Sequence, residues 1–286
     1  MLITNEVIKM SKCDSCSSKS SCNSKSTCTI ENNPNNKIKN IIAVMSGKGG
    51  VGKSTMSTMI GKDLNKKGYK VGILDADITG PSIPRLLKIK NEKLFGNQAG
   101  IIPAKSKEGI SVMSVNLLMD DEEQPAILRG PVISATVKQF WTDVYWGELD
   151  FLIIDMPPGT GDVPLTVMQS IPISGVVIVS TPQDMVSMIV AKSLNMTRSL
   201  NIPVIGVIEN MSYLLCPNCD TKIKLFENEN LDEYIKRMNT TLLGELPMCK
   251  DIAQLSSEKA EKYNKGIEET MDKISNKIIS YTNNMG

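Results

Sequence analysis

The chain contains no histidine among its 286 residues. That removes Ser-His-Asp and Cys-His catalysis, histidine general bases, and every zinc site that needs imidazole. Aromatic residues are scarce at 4%, which argues against base stacking on a nucleic acid. Charge of either sign barely dominates: 32 Lys and Arg against 31 Asp and Glu leave +1. There is thus no electrostatic footprint for nucleic acid. Runs approaching 18 apolar residues are also missing, so neither a transmembrane helix nor a membrane partner is expected. Met1 to Met10 carries Glu6 and Lys9 and no apolar run, so no secretory signal is expected. The seven cysteines are odd in number. With no export signal, a cytoplasmic chain with thiols free for metal is the expectation.

What is present divides into two parts. Residues 1–37 read as a flexible Cys/Ser-rich tail. Ser11 to Cys28 holds eight Ser, four Cys and three Lys in eighteen residues, with no aliphatic side chain. Such a stretch buries too little apolar area to offset its ordering entropy. Residues 38–286 alternate strands and helices. Strands are expected at Ile41–Met45, Lys70–Leu74, Ile110–Val115, Phe151–Ile154, Gly175–Ser180 and Val204–Ile208. Helices are expected at Lys53–Lys67, Pro131–Trp146, Asp184–Leu200, Asp232–Met238 and Glu258–Tyr281. Fully apolar strands separated by helices predict an α/β fold in three layers, a mainly parallel central sheet with helices on both faces. Ligands then belong at the carboxyl ends of the strands.

Gly47, Lys48, Gly49, Gly50, Val51, Gly52, Lys53 and Ser54 fit G-x-x-x-x-G-K-[ST] between an apolar strand and a helix, the context of a P-loop. Its glycines let backbone N–H groups turn toward phosphate oxygens, and the helix presents its positive end. Lys53 is expected on the β/γ-phosphates and the Ser54 hydroxyl on Mg²⁺. Asp155 ends the Phe151–Ile154 strand and is placed as a Walker B carboxylate holding Mg²⁺ through water. Phosphoryl transfer needs positioning and charge neutralisation more than covalent help, which suits a chain without histidine. Asp75 and Asp77 end another strand and read either as site carboxylates or as a solvated turn. Gly159 to Asp162 looks like a loop that senses the γ-phosphate. Cys216-Pro217-Asn218-Cys219 supplies two thiolates, too few for a closed metal site.

Lys48 to Thr55 resembles the deviant Walker A, K-G-G-V-G-K-S-T, of the MinD/ParA superfamily. That resemblance implies that Lys48 reaches a partner's nucleotide across a homodimer, and that Asp77 orients the attacking water. It also implies that Asn210 reads adenine, with Gly244-Glu245-Leu246-Pro247 as a second adenine-side segment; ATP is therefore the expected nucleotide. Together with Asp75 to Pro84, Asp155 to Asp162 and Glu209-Asn210-Met211-Ser212 before the two cysteines, the chain resembles the Mrp/ApbC family from about Ile38 to Tyr281. The resemblance implies an ATP-hydrolysing carrier that binds a [4Fe–4S] cluster on Cys216 and Cys219 of two subunits. It would take the cluster from upstream assembly factors and pass it to recipient apo iron–sulfur proteins. ATP would then act through Gly159–Asp162 and helices near Cys216. Zn(Cys)₄ fits the same thiolates, and the alternative is a MinD/ParA-like positioning ATPase with a structural zinc site. Cys13-x2-Cys16-x5-Cys22 resembles part of the cluster motif of eukaryotic scaffold relatives. With Cys28 it offers a second cluster, a zinc site or a metal-free tail. Cys249 reads as packing.

Overall fold

The computed structural model describes residues 30–78, 80–89, 94–118, 130–185, 188–216, 219, 221–224, 235–256 and 264–285. Cys13, Cys16, Cys22 and Cys28 lie outside them, as does the proposed tail up to residue 29.

The central strands are built from short runs of Ile, Val and Leu, which favour a pleated, buried backbone. β1 (Lys37–Met45) leads into α1 (Lys53–Lys66) and β2 (Val71–Asp75). The short α2 (Ile83–Leu86) follows, then the minor strands β3 (Gly96–Asn97), β4 (Gly100–Ile101) and β5 (Ala104–Lys105), and β6 (Ser111–Met113). α3 (Gly130–Thr142), β7 (Glu148–Asp155), α4 (Asp162–Ser170) and β8 (Gly175–Ser180) come next. α5 (Pro182–Met185) and α6 (Met188–Ser199) precede the long β9 (Val204–Leu215) and the two-residue β10 (Lys222–Ile223). β11 (Leu242–Pro247), α7 (Lys250–Ala253) and α8 (Lys265–Asn283) end the chain.

The strands pair in the order β10-β9-β8-β1-β7-β2-β6-β5, with β11 also beside β9. From β6 to β11 all neighbours run parallel, and among the described residues β5 and β10 are the antiparallel edges of this sheet. Successive residues of a strand face opposite sides. Ile41, Ala43, Met45, Leu152 and Ile154 accordingly join one buried cluster, with Trp141 and Leu194 from the helices of that face. Ile42, Val44, Phe151 and Ile153 join the other, with Met56, Ile60 and Leu64 of α1 and Ile267, Met271, Ile274 and Ile278 of α8. That spacing on α8 is one helical stripe, and Asn264 caps it by accepting the Ile267 N–H at 3.0 Å. The sheet is thus covered on both faces, as its apolar strands predict.

Phe151 shows the packing. It is 2% exposed, and its ring meets Tyr69 edge-on at 5.2 Å. Phe151→Ala is expected to lower stability by about 3–5 kcal/mol, read as a lower urea midpoint.

Several expected boundaries move. β1 begins at Lys37, inside the segment assigned to the tail. The helix expected to reach Trp146 ends at Thr142, because Val144 bridges Ile101 and Tyr145 N–H bonds the Ile101 carbonyl at 2.8 Å. The Asp184–Leu200 helix begins earlier, at Pro182 in α5, and is helical again in α6 to Ser199, residues 186 and 187 lying outside the described residues. Val204–Ile208 is only the first half of β9. Among the described residues no helix is long and apolar enough to cross a membrane.

Candidate functional site

β1, β7 and β2 end side by side, and the loops that follow them enclose a cavity of about 280 Å³. The Gly-rich loop forms one wall. Gly50 and Gly52 have φ of 81° and 82°, a region that strains other residues. Gly52 also lacks space: a Cβ there would stand 2.3 Å from Asn210 Nδ2. α1 starts at Lys53 with no acidic residue in its first turn and no side-chain cap. Its first N–H groups therefore suit an anion. Lys48, Lys53, Ser54 and Thr55 line the cavity, facing Asp77 and Pro158.

Lys53 is 6% exposed. Its Nζ stands 2.9 Å from Asp155 Oδ2, 3.7 Å from Asp77 Oδ2 and 3.3 Å from Ser54 Oγ. Asp155 is fully buried at the end of β7. It accepts the Ser54 hydroxyl at 2.5 Å and the Ser57 hydroxyl at 2.7 Å. A hydroxyl against a carboxylate is a hard oxygen pair of the kind Mg²⁺ takes, so these residues fit the ion.

Asp75 lies opposite Asp155 on β2. It is buried, and accepts the N–H groups of Asp77, Ser82 and Ile83 at 3.2, 3.1 and 3.2 Å. The Ser114 hydroxyl adds a fourth bond at 3.2 Å. Burial, with the Asp155 charge beside it, pushes Asp75 up to about 8. Asp75 therefore shapes the β2–α2 turn, while Asp77 faces the cavity. The motif made both carboxylates visible. The donors Ser57, Ser82 and Ser114 were missed; only Ser57, one helical turn after Lys53, left a trace in the spacing. The Gly159 N–H bonds the Ser46 carbonyl at 2.9 Å, so the Gly159–Asp162 loop starts against the phosphate loop.

Because β9 runs on past Ile208, Asn210 lies within it, 1% exposed. Its Nδ2 donates to the Val51 carbonyl at 2.9 Å, and its buried Oδ1 has no partner among the described residues. Met211 follows with φ 56°, where β9 leaves its last pairing with β8 at Glu209. Ser212 donates to Glu209 at 2.5 Å and to Glu245 of β11 at 3.2 Å. Burial and the neighbouring Glu245 carboxylate raise Glu209. Pro247 ends β11, buried and paired with Tyr213 after a register shift.

Cys216 and Cys219 stand in the turn between β9 and β10, the first half-buried and the second exposed. Cys216 directly follows β9, which pairs with β10 as an antiparallel ribbon. Cys249 is half-buried and packs against the core, and burial pushes its thiol up. Among the described residues no group of three or more His, Cys, Asp or Glu is placed to hold a metal ion.

Residues 37–282 match the ParA family, described as NUBPL iron-transfer P-loop NTPase. An iron-sulfur cluster carrier protein of Clostridium perfringens is 47% identical over 260 residues, 88% of this chain and 91% of the relative. The iron-sulfur cluster transfer protein NUBPL of Dictyostelium discoideum is 42% identical, across 77% of this chain and 68% of the relative. A nucleotide-binding protein of Archaeoglobus fulgidus, solved in complex with ADP, superposes with a TM-score of 0.69 at 39% identity, covering 82% of this chain and 88% of its own. MinD of Aquifex aeolicus shares the fold, with a TM-score of 0.57 at 17% identity, over 84% of this chain and 97% of its own.

Proposed function

Since the chain belongs to the ParA family of NUBPL-type iron-transfer P-loop NTPases, we propose that it is an ATP-dependent iron–sulfur cluster carrier. It binds a [4Fe–4S] cluster between two subunits and hands it to apoproteins. One observation carries this reading: β9 joins the phosphate loop to the cysteines. Asn210 in its middle bonds the loop at Val51, and the same strand ends at Leu215, one residue before Cys216.

The roles follow from the chemistry of each place. The Gly47–Thr55 loop holds the phosphates, with Lys53 on the β/γ-oxygens. Ser54 and Asp155 would hold Mg²⁺, which neutralises phosphate charge when bound. Asp77 faces the cavity beside Lys53 and orients the attacking water. Lys48 extends to the nucleotide of a second copy. Asn210 Oδ1, buried without a partner among the described residues, is the acceptor offered to the adenine amino group, and Pro247 closes that side. The Archaeoglobus relative's ADP supports a nucleotide in this cavity. Two thiolates per subunit become four across a two-fold axis, the number a [4Fe–4S] cluster takes. Residues 1–29 act as an appendage to the ATPase unit, which takes in the buried Asn33 and Asn36 before β1, and the four thiols of that appendage form a second site.

The test is elemental. Protein purified and reconstituted without oxygen, as full chain and without residues 1–29, is expected to hold iron and sulfide at four each per two chains in the shortened form. Stoichiometric zinc without iron would overturn the carrier reading in favour of a structural Zn(Cys)₄ site. Iron confined to the full chain would move the cluster to the tail.

A further inference from the structure

The turn that bears the two cysteines is held from one side by Thr221. The Thr221 carbonyl accepts the Cys216 N–H at 3.0 Å. The Thr221 hydroxyl lies 3.2 Å from Cys219 Sγ. One residue therefore grips the backbone of the first cysteine and the sulfur of the second. The ribbon around it is anchored. β10 pairs Lys222 with Leu215 and Ile223 with Leu214. The Lys222 ammonium sits 4.4 Å above the Tyr213 ring, and Lys224 pairs with Glu245 at 3.5 Å. Thr221 lies in the short link between the turn and this ribbon, so its hydroxyl is presented to the sulfur rather than left to rotate with a free loop.

A hydroxyl and a thiol can donate in either direction. A cysteine bound to iron has no proton, so there the hydroxyl must donate and the sulfur accept. A hydrogen bond onto a ligating sulfur draws charge away from the metal–sulfur bond. It loosens that bond and raises the reduction potential of the cluster. The ribbon thus treats its two cysteines unequally. Cys219 is exposed and carries the hydroxyl; Cys216 is half-buried and held by its backbone.

Resting on the carrier reading above, we propose that Thr221 is a positioning residue that makes Cys219 the more weakly held arm, so that cargo leaves through Cys219 first. The step is a ligand exchange. A thiolate of the recipient gives its electron pair to iron. The iron–Cys219 bond breaks, and Sγ departs with its own pair as a thiolate that the Thr221 hydroxyl still donates to. No electron is gained or lost. Cys216 keeps its bond until a second recipient thiolate arrives.

Two substitutions separate the hydroxyl from the shape of the turn. Thr221→Val keeps size, branching and the carbonyl that binds Cys216. Thr221→Ser keeps the hydroxyl and loses a methyl. With anaerobically reconstituted full-length protein, Thr221→Val is expected to slow iron loss to a ferrous chelator about five-fold, the scale of one hydrogen bond to a charged group. Its cluster should also show a lower reduction potential. Thr221→Ser should match wild type in both. A Thr221→Val protein that matches wild type in rate and potential, while wild type loads iron, overturns this inference alone. Slowing in Thr221→Ser equal to that in Thr221→Val also overturns it, because Thr221→Ser keeps the hydroxyl and the shape of the turn, not the hydroxyl, would then set the rate. Wild-type protein that takes up no iron overturns the carrier reading, and this inference with it.

Discussion

Replacing both Cys216 and Cys219 with Ala is expected to remove iron and sulfide from protein lacking residues 1–29 and to abolish cluster transfer. ATP hydrolysis should stay within about two-fold of wild type, as for surface substitutions away from a site. The variant should fold. Cys219 is exposed and Cys216 only half-buried, so little packing is lost. The ribbon keeps its β9–β10 pairing and the Lys222–Tyr213 contact. Iron content is the sensitive reading because the described part of one subunit offers no further thiol at this turn; Cys249 is committed to packing against the core. Single variants should behave almost like the double one. Two copies of a single variant bring two thiolates to a shared site, and two are too few for a cluster. Full iron in the shortened double variant would remove the site from this ribbon.

The sequence announced the phosphate site well because local pattern and chemistry coincide there. An apolar strand, a Gly-rich loop and a helix fall in succession. Strands such as Phe151–Ile154 are apolar on both faces because helices cover both faces of the sheet. The continuation of β9 was hidden for the opposite reason. Glu209, Asn210 and Ser212 are polar and break the apolar run, yet all three are buried. Ser212 meets Glu209 locally, but the remaining partners come from elsewhere: Val51 from the phosphate loop and Glu245 from β11. No window along the chain reveals such pairing. Met211 adds a left-handed residue inside a strand, which alternation alone would not anticipate. Asp75 is a similar case. The D-x-D spacing made it visible, but the four donors that commit it to the β2–α2 turn gather only in the fold. The ribbon strand β10 is two residues long, below what periodicity can register.

These buried polar groups give the second large effect a distinctive form. Lys53→Ala should lower the rate of ATP hydrolysis by about 100- to 1,000-fold, the scale of removing one preorganised charge-stabilising donor. Cluster content should be retained, because the Cys216–Cys219 ribbon does not use this lysine. The same change also leaves a carboxylate without its cation. Asp155 is fully buried and its Oδ2 loses the ammonium at 2.9 Å. Removing one partner of a buried pair destabilises by about 3–5 kcal/mol. Hydrolysis must therefore be measured where circular dichroism shows the variant folded. Lys53→Met, which restores most of the volume, checks that the loss is one of charge. The pH dependence separates these causes further. Asp75 is already raised to about 8, and the Lys53 charge is one of the influences holding it down. Without Lys53 it rises further. A buried acid whose folded-state value lies above its unfolded one binds more protons when folded. Its contribution to stability is therefore lost as pH climbs from the unfolded value through the folded one. The urea midpoint of Lys53→Met should accordingly lie below that of wild type by a steady amount between pH 5 and 7, and fall further behind as pH climbs past 8, where Asp75 ionises in folded wild type but stays protonated in the variant. A gap that does not change with pH would mean that lost packing, rather than the carboxylates facing Lys53, sets the cost. Full hydrolysis by the folded variant would refute the assignment of the loop.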